Sequence, residues 1–133
     1  MITPYFRQTQ KLRLLLKSRG LHAVKVGSTE EFHGHEVKAL FVSTVRTSQA
    51  NLGHDALYDT GFVGNVKRFN TALSRAVALL VIVGDPNALW EDTSWRELLR
   101  YSVDNKSYRG CPHPLSPVGA EDESLDALGV LIQ

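Results

Sequence analysis

The chain holds one cysteine, Cys111, in 133 residues. An internal disulfide is therefore excluded, and a reducing compartment is expected. Long apolar runs are missing too. The longest, Ala76 to Val83, is far too short to cross a bilayer and suits a buried strand. The opening MITPYFRQTQK lacks the apolar stretch of a secretory signal. No segment repeats. Net charge is only +1, so composition alone announces no nucleic-acid partner. The glycine-rich phosphate cradles are also absent. Neither GxxxxGK followed by Ser or Thr nor GxGxxG occurs, and no acidic pair follows an apolar strand to hold magnesium. A nucleoside triphosphatase needs backbone amides and a lysine around the phosphates plus a metal ligand, so this chain is not a complete one.

The charge that is present is uneven. Residues 1–75 carry 11 Lys and Arg against 5 Asp and Glu, a net +6, whereas residues 76–133 carry 4 against 9, a net −5. A basic front and an acidic back suit one face meeting a polyanion, and equally suit an ordinary solvated surface.

The length favours one domain. Thr3 is expected to N-cap a first helix, with Pro4 at its first position and Gly20 as its stop. Leu12, Leu15, Leu16 and Arg19 follow helical spacing there, and Lys11, Arg13 and Lys17 turn outward. Met1-Ile2 reads as the last step of a strand, so the chain is expected to begin inside an element. Ala23 to Gly27 reads as a short strand, and Ser28 to Glu31 has capping-box spacing. Lys38 to Val45 reads as a buried strand. Residues 46–64 form a long polar loop, a kind that is usually functional or mobile. A helix over about 66–76 then runs into a strand over about 77–83. Gly84 to Asn87 reads as a turn. A last helix opens at Thr93 or Ser94, with Glu97 closing a capping box. Trp90 and Trp95 have the spacing of core residues rather than of base-stacking platforms. Residues 1–106 are expected to form the domain. Residues 107–133, with Pro112, Pro114, Pro117 and an acidic EDE, are expected to be an irregular or disordered tail. Strand–helix alternation with apolar strands predicts an α/β fold: a parallel sheet with helices on both faces and ligands at the carboxyl ends of its strands.

Arg75 is the sharpest candidate for chemistry. A guanidinium stays charged and offers a rigid fork of donors, which suits charge on a transferring phosphoryl group. A surface arginine favoured by the helix dipole accounts for its spacing equally well. His33-Gly34-His35 invites a metal, but zinc needs further ligands and none is near in sequence, so no metal site is expected.

Three segments in order, TPYFRQ, VGSTEEFHGHE with VSTVRTS, and KRFNTALSRAVALLVIVGDP, resemble motifs IV, V and VI of superfamily 1 RNA helicases. They look like the second RecA-like domain of the up-frameshift-type branch. The ending DTSWRELLRYSVDNKSYRGCPHP resembles the Mov-ten/Armitage class of RNA-silencing helicases. The likeness covers about residues 1–114. It implies a RecA-like P-loop NTPase fold, truncated at its N-terminus.

The resemblance also implies roles. Arg75 matches the arginine finger of the family's motif VI. Glu36 matches a glutamate that contacts the nucleotide ribose, and Gly34 a glycine that lets backbone approach closely. Gln8 and Arg46 join the ATP side. Thr3, Pro4, Tyr5, Ser28 and Thr29 match elements that face the RNA backbone, and Thr44 with Arg46 matches the element joining the RNA and ATP sides. ATP with Mg2+ would be held mainly by a first RecA-like domain, and the other partner would be single-stranded RNA. Silencing-complex proteins, a cytoplasmic or granule location and no membrane follow from the same likeness. Where the family has glutamines this chain has His33 and His35, and the position just after the ALSRA segment, usually Lys or Arg, is Val77. Histidine changes charge near neutrality and glutamine does not. The alternative is an inactive helicase domain that only binds RNA or protein.

Overall fold

The computed structural model describes residues 1–45, 61, 62 and 64–116. Helix α1 spans Phe6–Ser18, strand β1 Val37–Ser43, helix α2 Val66–Ser74 and strand β2 Ala76–Val83. A short helix α3 covers Pro86–Trp90, and α4 covers Thr93–Asp104. The strands β1 and β2 are parallel, pairing Leu40 with Leu80 and Val42 with Ile82. Ile2 extends this order through single parallel bridges to Val42 on one side and Gly27 on the other. The expected parallel α/β architecture is therefore present.

Thr3 does not cap α1. Its amide donates to Gly27 O at 3.1 Å and its side chain is fully buried. That bond belongs to the parallel bridge of Ile2 with Gly27, so the helix starts later, with Tyr5 as N-cap and no side-chain cap bond. Gly20 is the expected stop, at φ +73°. Ser28 and Glu31 do close on each other, Ser28 N donating to Glu31 Oε1 at 3.2 Å and Glu31 N to Ser28 Oγ at 3.3 Å. They open the hydrogen-bonded turns at 29–34, in which Phe32 N donates to Thr29 O and His33 N to Glu30 O. Of the expected strand over 23–27, only Gly27 pairs.

The helix openings after β2 also differ from expectation. Asp85 accepts from Asn87 N at 2.8 Å, which turns the expected turn into the N-cap of α3 with Pro86 in its first turn. Asp92, not Thr93 or Ser94, caps α4, accepting from Ser94 N and Trp95 N at 2.9 and 3.0 Å. Its second carboxylate oxygen accepts from Gly64 N at 2.8 Å. A carboxylate outcompetes a hydroxyl for orphan amides because the bond is charge-assisted. Glu97 instead meets Arg100 at 3.2 Å.

One face of the sheet builds the core. Leu40 and Val42 meet Ile2, Phe32, Phe62, Ala72, Leu89 and Trp95 there. Trp95 sits edge-on to Phe62 and Phe69, with ring centroids 5.8 and 4.8 Å away. Its indole N–H donates to Phe62 O at 3.3 Å, so the polar tip is satisfied inside the core. Trp90 is half-buried under the guanidinium groups of Arg96 and Arg100.

The other face is covered only in part. From Ile2 the chain moves outward to Gly27, and from β1 it moves the opposite way to β2. For this strand order the general right-handed rule for parallel crossovers predicts α1 and α2 on opposite faces. Yet Phe41, Val77, Leu79 and Val83 remain 43%, 67%, 51% and 60% exposed, so α1 does not shield β2. In α1 itself only Thr9 is buried, and Leu14 and Leu15, the latter expected on the inner stripe, are open to solvent. Among the described residues no helix is long and apolar enough to cross a membrane.

Candidate functional site

The parallel strands give the sheet two ends, and the candidate residues divide between them. At the amino end, and not at the carboxyl end that the sequence predicts for ligands, Glu36 directly precedes β1 and Arg75 directly precedes β2. Val37 N donates to Arg75 O at 2.9 Å, which fixes these two positions side by side. Arg75 ends α2 in a right-handed conformation, half-buried, at the joint where helix becomes strand. Its guanidinium meets Ser74 Oγ at 2.9 and 3.3 Å, and no ion pair reaches it among the described residues. Helix and strand therefore hold its backbone while its charge stays available. Glu36 is exposed.

Gly34 lies in the turns before Glu36 at φ +76°. A Cβ built there meets nothing within 4 Å. The backbone angle, rather than crowding inside the chain, is what favours glycine, and the space over it is open to a ligand. His33 and His35 flank it and are both exposed.

At the carboxyl end lie three buried threonines. Thr3 follows the Ile2 bridge, Thr29 follows Gly27, and Thr44 follows β1. They are at most 2% exposed. Thr44 N donates to Val83 O at 3.0 Å, and Gly84 packs so closely on the Thr44 hydroxyl that a Cβ would collide with it. Among the described residues the Thr3 hydroxyl has no hydrogen-bond partner, which is costly for a buried polar atom unless a ligand completes it. Pro4, Tyr5 and Ser28 border this row and are half-buried. Seven residues of strand at about 3.3 Å each separate the two ends by roughly 20 Å.

Gln8 falls in the first turn of α1, so it stands at the carboxyl end and not with Gly34, Glu36 and Arg75. Arg46 lies outside the described residues. Among the described residues no three His, Cys, Asp or Glu gather to hold a metal ion.

Two ion pairs that spacing does not reveal brace the turns between the ends. Arg13 of α1 donates to Val26 O at 2.6 and 2.9 Å and to Glu31 at 2.9 Å. Arg68 of α2 meets Glu30 at 3.0 Å. Burial works to raise the Glu30 pKa, but hydrogen bonds from the Ser28 side chain, its own backbone amide and Arg68 outweigh it and hold the carboxyl at about 2. A carboxyl lowered from 4.5 in this way stabilises the fold above pH 4.5 and loses that effect as pH falls towards 2. Glu30→Gln should thus lower the urea midpoint at pH 7 and leave it unchanged near pH 2. The loss should stay below about 1 kcal/mol, because the carboxylate is largely exposed and screened.

Residues 1–87 match the family described as "AAA domain". The chain is 44% identical over 114 residues to "RNA helicase Mov10l1" of Homo sapiens, covering 86% of this chain and 9% of that protein. It is 41% identical over 123 residues to "Probable RNA helicase armi" of Drosophila melanogaster, covering 92% and 10%. With "Putative helicase MOV-10" of Gallus gallus it shares 40% over 133 residues, covering 94% and 14%. The chain thus spans about a tenth of the length of the curated relatives it matches. Motifs and comparisons agree: the chain is similar to the Mov10 and Armitage proteins, and it belongs to the AAA domain family.

Proposed function

We propose that this chain supplies the second-domain half of an ATP-driven RNA helicase. The observation that carries this is the pairing of Glu36 and Arg75 at one end of the sheet, with the threonine row at the other. Glu36 and Gly34 would meet the ribose, and Arg75 would reach the phosphates as an arginine finger. ATP and Mg2+ would be held mainly by a first RecA-like domain and would supply the phosphoryl group and its counter-charge. The fit is partial: the amino end offers a guanidinium held only by Ser74, a carboxylate and an open glycine turn, but among the described residues no cradle and no metal cluster. Arg75 then acts only when the two domains close, stabilising charge on the transferring group.

Single-stranded RNA would lie along the carboxyl end, its backbone completing the unpartnered Thr3 hydroxyl beside Pro4, Tyr5, Ser28, Thr29 and Thr44. Gln8, placed at this end, would serve the RNA side or the seam between the two ligands. Closing over ATP and opening after hydrolysis would move the RNA face relative to the first domain. The kinship with Armitage and Mov10 proteins favours a cytoplasmic setting, ribonucleoprotein granules included, with silencing-complex proteins as partners.

The purified chain should bind oligouridylate with salt-sensitive affinity and hydrolyse no ATP with or without RNA. Measured turnover by the chain alone would refute the division of labour. A binding module without motor function is the rival, favoured by the missing cradle in this sequence.

A further inference from the structure

Helix α1 presents an outward face with nothing on it among the described residues. Thr9 is buried and Gln8, Leu12 and Leu16 are half-buried, which leaves Phe6, Arg7, Lys11, Leu14 and Lys17 on the open side. Phe6 is 72% and Leu14 70% exposed. Large apolar side chains left so open among cations mark a docking surface rather than a solvated one. Arg7, Lys11 and Lys17 have no ion pair among the described residues. The helix carries four cations and no acid: Arg7, Lys11, Arg13 and Lys17.

The complementary chemistry is in the same chain. Residues 117–133 hold four acids, Glu121, Asp122, Glu123 and Asp126, and no Lys or Arg. Leu125, Leu128 and Ile132 recur at helical spacing, with Asp122 and Asp126 flanking them. Seventeen residues reach up to about 55–60 Å, well beyond a domain with a radius of gyration of about 13 Å. The bare sheet face is a poorer seat, because Ala39, Phe41, Leu79, Val81 and Val83 offer no cation to four carboxylates.

We infer that the acidic C-terminal segment docks in cis on the outward face of α1, its leucines against Phe6 and Leu14 and its carboxylates against Arg7, Lys11 and Lys17. The helix begins two residues after Thr3 and Pro4, so the docked segment sets negative charge beside the proposed RNA face and competes with RNA there. The competition rests on the RNA proposal, whereas the docking does not.

Carbodiimide cross-linking of the 133-residue chain, mapped by peptide mass, tests the docking directly. The expected bonds join Lys11 or Lys17 to Glu121, Asp122, Glu123 or Asp126, in a yield independent of protein concentration. Leu14→Asp, at an exposed position that tolerates it, and Leu125→Asp with Leu128→Asp should each cut that yield by about tenfold, the effect of losing one to two buried leucine contacts. Bonds confined to Lys38, Lys67 or Lys106, no bonds, or a yield rising with concentration through the tail of a second copy would each overturn the docking in cis. Binding of oligouridylate at low salt by the Leu125→Asp, Leu128→Asp chain separates the two ideas. Affinity about three- to tenfold tighter supports competition. Unchanged affinity with cross-links intact in the unsubstituted chain upholds the docking and overturns the competition, whereas no binding of oligouridylate by either chain overturns the RNA proposal.

Discussion

Arg75→Ala, made in a helicase chain that also carries the first RecA-like domain, is expected to lower ATP turnover by about 10³–10⁵ and leave binding of single-stranded RNA intact. The size follows from what an arginine finger does. It meets charge that develops on the phosphoryl oxygens during transfer, in a closed site where a donor counts for far more than in water. The selectivity follows from placement. Arg75 stands at the amino end of the sheet, roughly 20 Å along the strands from the threonine row, so its loss should not disturb the proposed RNA face. Truncation should also leave the fold unharmed, because among the described residues the side chain hydrogen-bonds only Ser74, while its backbone carbonyl accepts from Val37 N. Arg75→Lys should recover little, since an ammonium does not reproduce the guanidinium fork. Steady-state ATPase assays with and without RNA, beside equilibrium RNA binding, decide the matter. Near-normal turnover in Arg75→Ala would remove the finger assignment.

Trp95→Ala should have the second largest effect, on stability. The side chain is 2% exposed and packs edge-on against Phe62 and Phe69. It also supplies the N–H that satisfies Phe62 O. Deleting a buried aromatic of this size costs about 3–5 kcal/mol. Domains of ordinary size have only about 5–15 kcal/mol in total. This one leaves a sheet face uncovered, so it should sit near the lower bound, and the variant should be largely unfolded at 37 °C. Trp95→Phe keeps most of the apolar contact and loses the hydrogen bond, at about 1–2 kcal/mol. Urea titrations followed by circular dichroism give both values. A midpoint for Trp95→Ala close to that of the unsubstituted chain would show that the cluster around Trp95 is not the core.

Much of the architecture was legible in the residues. The strands expected over 38–45 and about 77–83 are strands, at 37–43 and 76–83, but one face of each stays open where burial was expected. Gly20 stops α1 because only glycine takes its backbone angle cheaply, a local property visible without any fold. The reciprocal bonds of Ser28 and Glu31 are likewise short-range.

The misplacements share one cause. Thr3-Pro4 has the pattern of a helix start, but a long-range bond to Gly27 O claims the Thr3 amide for the sheet. Asp92 displaces Thr93 and Ser94 as cap while also holding Gly64 N, a residue 28 positions away. The Glu30–Arg68 pair spans 38 positions and leaves no trace in local spacing.

The sequence by itself determined the two paired strands and the helices α1, α2 and α4, the helix–strand joint at Arg75, and the absence of a phosphate cradle. Each depends on side-chain periodicity, local backbone preference or a short motif, and these act within a few residues. Only the tertiary structure decided that Glu36 and Arg75 stand together at one end of the sheet while Thr3, Thr29, Thr44 and Gln8 stand at the other. That division is set by parallel pairing of segments far apart in the chain, which gives every strand the same direction and so gives the sheet two chemically different ends.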